Sequence, residues 1–307
     1  MWIKMKKRIL ILGGGYSKER TISLKSAKAV MKSIKNNFNV RFCDPCNNFL
    51  KVVQTFKPDV IFNALHGRFG EDGYLQTILE TLGIKYTHSG VISSMSAMDK
   101  EISKKIFIKN RMLTPKYIKI KNDIKNINFK IIKSYLKYPV VIKPVNEGSS
   151  LDVFICNNKL SLISKIKKLR NYNELLIEKF IPGREIQVAI MGNKILGAIE
   201  LKPKRKFYDY KAKYSSNAKT QHIIPVNLSK KNYDIVNKIA LKAHKLLKCR
   251  GITRSDFKFY KNKFYLLELN TQPGMTDLSL VPEIAAHQGI KFNLLINWMI
   301  RDASKNR

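Results

Sequence analysis

Arg254-Ser255-Asp256 and, after a short turn, Glu268-Leu269-Asn270-Thr271-Gln272-Pro273-Gly274 decide how this chain reads. Two runs of alternating apolar residues, Ile252 to Tyr260 and Phe264 to Leu269, flank a Lys-Asn turn, and that pattern predicts a β-hairpin. Side chains two apart on a strand point to the same face. Arg254 and Asp256 therefore share one face, and Glu268 and Asn270 share another. If those faces coincide, two carboxylates, an amide oxygen and a guanidinium converge. Hard oxygen ligands without His or Cys suit Mg²⁺, which takes carboxylates together with phosphate oxygens. An arginine beside such a cluster is placed to meet an anion, and the set outlines a phosphoryl-transfer site. The plainer alternative is a hairpin with surface charges. Charges are depleted within strands, and these four recur at period two between apolar neighbours, so the site is the preferred reading.

The chain around this hairpin has 307 residues, enough for two or three domains with a substantial core. No apolar run is long enough to span a membrane. The apolar stretch within Met1 to Leu12 ends at once in Gly13-Gly14-Gly15 and reads as a first strand rather than a signal peptide. Lys and Arg number 58 against 22 Asp and Glu, a net charge of +36. The lysines are spread evenly, without a basic block or aromatic-interleaved patch. This points to compositional drift, with weak non-specific nucleic-acid association at low salt and no specific nucleic-acid partner. Cys43-Asp44-Pro45-Cys46 has redox or metal spacing but no second pair, and reads as a chance occurrence in a loop. A reducing cytoplasm fits.

Read from the start, Arg8 to Leu12 is a short strand, followed by a glycine-rich turn and a helical pattern from about Thr21 to Lys35. Strand, glycine turn and helix open a parallel α/β sheet, and ligands gather at such turns. Glu19 sits in the turn. It either favours the helix dipole or binds a substrate ammonium. Strands at Asn39 to Phe42 and Asp59 to Ala64 follow, the second running into the loop His66-Gly67-Arg68-Phe69-Gly70-Glu71-Asp72-Gly73. A Gly- and charge-rich loop at a buried strand end marks a functional loop, although His66 alone could equally be structural. A helix from about Tyr74 and a strand at Lys85 to Thr87 complete a doubly wound domain ending near residue 95.

Met98-Asp99-Lys100 opens the next helix. Tyr138 to Pro144 is a strand carrying Lys143, followed by Asn146-Glu147-Gly148-Ser149-Ser150. A small-residue loop with two hydroxyls offers donors to a nucleotide's phosphates, or is an ordinary turn. Glu174 to Phe180 carries Glu178 and leads into Ile181-Pro182-Gly183-Arg184-Glu185, a hinge-like Pro-Gly turn where an adenine and a ribose could pair. Lys202 to Lys219 is long, polar and aromatic, the form of a functional cover. Ser229 to Cys249 is an amphipathic helix, Gly274 to Pro282 a loop holding Ser279-Leu280, and a last helix begins near Phe292.

His66-Gly67 with Gly70 to Gly73, Met98-Asp99-Lys100, Glu147 to Ser150, Phe207-Tyr208-Asp209-Tyr210 through Lys213-Tyr214, Arg254-Ser255-Asp256, and Glu268 to Thr276 stand in one order and spacing. Together they resemble the D-alanine–D-alanine ligase family of the ATP-grasp superfamily over nearly the whole chain. The fold this implies is α/β. Residues 1–95 would form a doubly wound parallel-sheet domain for substrate. Residues 96–182 and 183–307 would form the central and C-terminal lobes of a two-lobed ATP-grasp domain, the latter with the Mg and D-alanine sites. The activity implied is cytoplasmic, ATP-dependent joining of two D-alanines for peptidoglycan precursor synthesis, by a homodimer independent of membranes.

The resemblance also implies roles. Glu19, with Ser150 and Tyr214, holds the first D-alanine's ammonium, and His66 lies beside it. Lys100, Lys143, Glu178, Ile181, Glu185, Phe207, Lys213, Leu267 and Asn270 hold ATP. Asp256, Glu268 and Asn270 ligate two Mg²⁺ (or Mn²⁺) ions. Arg254 and the Gly274 N–H stabilise an oxyanion, and Ser279 and Leu280 position the second D-alanine. A sister ligase taking D-lactate or D-serine second, a degenerate binding protein and a basic nucleic-acid module are the alternatives. One departure stands out: Leu151-Asp152 follows the serines where the family has a small aliphatic residue and Gly. Asp152 puts a negative charge near the phosphate loop, so replacing it with Gly is expected to improve ATP affinity.

Overall fold

A computed structural model describes residues 6–148, 151–202, 220–276 and 279–305. The first sheet contains β1 (Arg8–Leu12), β2 (Asn39–Cys43), β3 (Val60–Asn63) and β4 (Lys85–Tyr86). Its order is β2-β1-β3-β4, and every pairing is parallel. Helices cover both faces, so the central strands β1 and β3 are buried almost throughout, whereas the edge strand β2 is largely exposed. Ile9 and Ile11 pack toward α1 (Arg20–Ile34), while Leu10 and Leu12 pack toward α2 (Phe49–Phe56) and α3 (Tyr74–Thr81).

Two helices, α4 (Val91–Met98) and α5 (Lys100–Lys109), lead out of this sheet. Asp99 caps α5: its Oδ1 accepts from the backbone N–H groups of Glu101 and Ile102, both at 2.9 Å. That cap fixes Lys100 as the first helical residue. The second sheet joins β5 (Tyr117–Lys121), β6 (Val140–Pro144), β7 (Phe154–Cys156) and β8 (Glu174–Lys179) in the antiparallel order β5-β8-β6-β7. Against it pack residues of the short α6 (Phe129–Ile131), of the turn that follows and of α7 (Lys159–Lys168).

The third sheet has β9 (Arg184–Met191), β10 (Lys194–Lys202), β11 (Gln221–Ile223), β12 (Ile252–Tyr260) and β13 (Lys263–Asn270). It is antiparallel, in the order β11-β10-β9-β12-β13. One face buries Ile186, Val188 and Phe257 against α8 (Lys230–Leu246). The other face shares a core with the first sheet through α9 (Leu280–His287) and α10 (Phe292–Asp302): Ile199 and Ile252 lie in one cluster with Ile9, Val30, Ile284 and Leu295. The expected loop from Gly274 to Pro282 therefore ends early. Helix α9 starts at Leu280, and Pro282 stands in its first turn, where a missing N–H leaves no helical bond unmade.

The decisive hairpin forms, with Lys261 and Asn262 both at positive φ in its turn (48° and 57°), as a two-residue type I′ turn requires. Arg254 pairs with Asn270 and Asp256 with Glu268, so the two faces coincide. A bulge makes this compatible with the core. The register shifts after Asp256, so Phe257 pairs with Leu266 and Leu267 is the extra residue. Leu266 and Leu269 are both buried, although three residues apart, because the bulge reverses the alternation between them. Phe257 is fully buried and meets Phe264 edge-on, with ring centroids 6.3 Å apart. Phe257→Ala is expected to destabilise the fold by about 3–5 kcal/mol in urea unfolding. A loss under ~1 kcal/mol would show that the core tolerates the void.

Candidate active site

The hairpin carries its four polar residues into the space between the three sheets. Arg254 grips the buried Asp256 with two bonds, Nε to Oδ1 at 2.7 Å and Nη2 to Oδ2 at 2.9 Å. Lys100 Nζ lies 3.8 Å from Glu268 Oε2. Asn270 Oδ1 accepts from Gln272 N at 2.7 Å, which sets the orientation of its amide. Two carboxylates and an amide oxygen on one face suit a hard divalent ion. Among the described residues no three His, Cys, Asp or Glu groups converge as a metal cage. Ligand oxygens would have to complete the coordination.

One cavity lies on the hairpin's other flank, between the second and third sheets, with apolar walls that include Val141, Ile181 and Leu267. At its floor Glu178 is clamped by two lysines. Lys143 Nζ is 2.9 Å from Oε2, and Lys104 Nζ is 2.8 Å from Oε1. Lys104 also donates to Thr114 Oγ1 at 2.6 Å and to the Pro115 carbonyl at 3.3 Å. Burial alone would raise the Glu178 pKa, but the two cations outweigh it and hold the carboxyl below the usual range. Burial pushes Lys104 down to about 8, against the pull of Glu178. Lys100, also buried, is lowered for the same reason, and the Lys143 charge adds to the effect. At the cavity's edge Lys258 Nζ pairs with Glu185 Oε2 at 2.9 Å.

The second cavity lies between the first sheet and the hairpin. Glu19 occupies the N-cap position of α1 yet makes no capping bond with its side chain. Its carboxylate is buried beside two glycines: a Cβ on Gly67 would lie 2.7 Å from Glu19 Oε2, and one on Gly148 would lie 3.0 Å from it. The N-cap position agrees with the helix-dipole reading, and the cavity beside the carboxylate agrees with the ligand reading. His66 is buried, with Nδ1 3.1 Å from Glu71 Oε1 and Nε2 3.0 Å from Ser26 Oγ. Burial opposes a charge on His66, but the hydrogen-bonded Glu71 carboxylate, and then Glu19, raise its pKa above the ordinary value. Ser26 Oγ also accepts from Met275 N at 3.3 Å, linking His66 to the segment after Gly274. Gln272 locks that segment down. Its Oε1 accepts from Asn63 Nδ2 at 2.8 Å, and its Nε2 donates to the Leu65 carbonyl. Ser279 Oγ accepts from Thr276 N at 2.9 Å, just before α9 begins.

Comparison with known proteins decides the family. The model described as D-ala D-ala ligase C-terminus matches residues 110–301, and that described as D-ala D-ala ligase N-terminus matches residues 44–89. The D-alanine–D-alanine ligase of Pelagibacter ubique (strain HTCC1062) is 64% identical over 305 residues, spanning 99% of this chain and 100% of that protein. The chain belongs to the D-alanine–D-alanine ligase family. The fold agrees. The crystal structure of D-alanine–D-alanine ligase from Bacillus anthracis superposes with a TM-score of 0.87 at 34% identity, covering 96% of this chain and 97% of that one. The same enzyme complexed with ATP gives 0.85 at 32% identity, with the same coverage.

In this member of the D-alanine–D-alanine ligase family, the expected site residues divide between the two cavities. Glu19, His66, Arg254, Asn270, Gly274, Ser279 and Leu280 line the cavity between the first sheet and the hairpin. Lys143, Glu178, Ile181, Glu185, Asp256 and Leu267 line the other, and Lys100 and Glu268 border both. Ser150, Phe207, Lys213 and Tyr214 lie outside the described residues, as do most of the expected cover and Ser149. Asp152 does adopt positive φ, 56°, where a side chain costs roughly 1 kcal/mol or more. Cys43 and Cys46 are free thiols around Asp44, which accepts from Gly15 N and Cys46 N and pairs with Arg20 at 2.6 Å. This is a folded loop, in keeping with the plain reading.

Sequence reasoning missed four groups. Lys104 stands one helical turn beyond Lys100, a spacing that puts both on one face. Glu71 lies inside the glycine-rich loop already singled out. Ser26 lies seven residues beyond Glu19, two turns along the same helix. Gln187 pairs across strands with Asp256, is fully buried, lines the cavity between the first sheet and the hairpin and has neither amide atom bonded within the described protein. Lys104→Met is expected to destabilise by about 3–5 kcal/mol, because it leaves Glu178 without one of its two cations. The folded pKa of Lys104, about 8, lies below its ordinary 10.5. The unfolded chain therefore binds more protons between those values, and the contribution of Lys104 to stability rises with pH across that window. The stability gap between wild type and the Met variant should therefore widen as pH rises from about 8 to 10.5, and parallel pH profiles would contradict the lowered Lys104 pKa.

Proposed function

We propose that this chain joins two D-alanines into D-alanyl-D-alanine, converting ATP to ADP and phosphate, for peptidoglycan precursor synthesis. The observation that carries the reading is the convergence of Arg254, Asp256, Glu268 and Asn270 at the junction of the two cavities, with Glu19 and His66 beyond them. A carboxylate is a poor electrophile, so the first D-alanine attacks the γ-phosphate and becomes an acyl phosphate. Glu19 holds its ammonium, with Ser150 and Tyr214, and His66 lies beside it. Lys100 and Lys143 bind phosphates. Glu178, Ile181, Glu185, Phe207, Lys213, Leu267 and Asn270 complete the nucleotide site. Asp256, Glu268 and Asn270 would hold two Mg²⁺ or Mn²⁺ ions, whose charge supports phosphoryl transfer.

Ser279 and Leu280 position the second D-alanine, whose deprotonated amine attacks the acyl carbon. Phosphate leaves with the C–O electron pair. Arg254 and the Gly274 N–H stabilise the tetrahedral oxyanion, a contribution of about 3–4 kcal/mol per donor. An acyl phosphate hydrolyses, so the site must exclude water during the reaction. Three spans, 1–95, 96–182 and 183–307, serve as substrate domain, central lobe and C-terminal lobe, in line with the three sheets. A homodimer in the cytoplasm follows from the family resemblance, and no described helix is long and apolar enough to cross a membrane.

Phosphate release from ATP and Mg²⁺, measured with and without D-alanine while dipeptide is assayed in parallel, tests the reading. D-alanine-dependent phosphate matched by dipeptide is expected. Phosphate without dipeptide would redirect the second step to another acceptor, and a folded protein giving neither would overturn the reading. Asp256→Asn and Glu268→Gln are each expected to lower turnover by at least ~100-fold with the melting temperature little changed. Near-wild-type turnover in either variant would overturn the metal assignment.

A further inference from the structure

Three side chains from separate segments meet beside the small-residue loop. Lys18 comes from the turn after β1, Asp152 from the far end of the loop, and Tyr172 from the approach to β8. Tyr172 Oη donates to Asp152 Oδ2 at 2.6 Å. Lys18 Nζ donates to Tyr172 Oη at 2.8 Å and lies 3.4 Å from Asp152 Oδ2. The Lys18 side chain is 60% exposed, so its ion pair alone is weak. The short O–H···O⁻ bond is the stronger link. Tyr172 is anchored in the second sheet's core, and its carbonyl accepts from Asn122 Nδ2 at 2.9 Å. Burial, reinforced by the Asp152 carboxylate, raises the Tyr172 pKa to about 12, so it remains a donor at neutral pH.

The same loop meets the substrate turn a second time. Gly148 sits against the Glu19 carboxylate, close enough that a Cβ there would lie 3.0 Å from Oε2. The two ends of one short segment therefore touch adjacent residues of another: Gly148 meets Glu19, and Asp152 meets Lys18. Any ligand that fixes the segment also fixes the turn that holds Glu19.

We propose that Lys18, Asp152 and Tyr172 form a latch of positioning residues that makes nucleotide binding and first-substrate binding depend on each other. The proposal rests on the function given above and adds a role that none of these residues has in it. Coupling of this kind is reciprocal: a nucleotide that holds Asp152 in place tightens the amino-acid site, and the amino acid tightens the nucleotide site by the same factor. Asp152 is then a working part rather than a blemish. Asp152→Gly, expected from sequence to improve ATP affinity, is expected also to weaken this coupling.

The test compares D-alanine affinity by calorimetry with and without a saturating, non-hydrolysable ATP analogue and Mg²⁺. The wild-type ratio of the two dissociation constants should fall about fivefold in Lys18→Met, Asp152→Asn and Tyr172→Phe. The Lys18→Met/Asp152→Asn double variant should lose little more than either single variant. Turnover at saturating substrates should stay near wild type, which a general loss of structure would not allow. An unchanged ratio in the three single variants, in a wild type that makes dipeptide, would overturn the latch. Amide exchange in the ligand-free protein separates this outcome from failure of the functional reading. Lys18→Met should speed exchange at residues 151–153 several-fold, and unchanged exchange there would overturn the latch whatever the wild type catalyses.

Discussion

Asp256 and Glu268 stand opposite each other on adjacent strands, two carboxylates in the position where like charges repel most. A pair placed this way persists only if cations hold it. Arg254 takes both oxygens of Asp256, and Lys100 approaches Glu268 from the N-terminus of α5. Most of the remaining architecture serves this pairing. The bulge at Leu267 aims Glu268 and Asn270 into the site without pulling Leu266 or Leu269 from the core. The Asp99 cap fixes where Lys100 begins its helix. Gln272 ties the end of the hairpin to the first sheet, so β13 and His66 keep one relative position.

The nucleotide side repeats the principle with the sign reversed. Glu178 is a buried anion between two buried lysines, an arrangement whose desolvation is offset only by close geometry. Lys104 is satisfied by three acceptors and faces away from solvent. It fits a supporting role, holding Glu178 charged and in place, and leaves Lys143 on the cavity wall to meet a ligand. Of the 58 lysines and arginines, these few are held against carboxylates at the two cavities, and the overall +36 charge says little about function.

Much of this was legible in the sequence because the hairpin alternates cleanly and its turn is two residues long. What periodicity does not supply is register. Leu266-Leu267 reads equally well in either phase, so the bulge that brings the two faces together became visible only in the strand pairing. The first three residues of helix α9 were read as loop, yet a proline in the first turn is tolerated. Lys104 was hidden among many lysines, since nothing in a single sequence separates a buried lysine from an exposed one. Glu19 and His66 were each left between a plain and a functional reading. Their surroundings come from distant segments that no local pattern announces: Gly148 beside Glu19, and Ser26 beside His66. Asp152 was seen as a departure, but its partners Lys18 and Tyr172 are remote in sequence and gave no local signal.

The central claim is that the paired carboxylates and their cations serve to phosphorylate a substrate carboxylate. Turnover of D-alanine labelled with ¹⁸O in its carboxylate, with mass analysis of the released phosphate, tests this directly. The account predicts that each phosphate carries one labelled oxygen, transferred when the acyl phosphate collapses. Dipeptide formed with unlabelled phosphate would contradict it, because the carboxylate would then have been activated by another route.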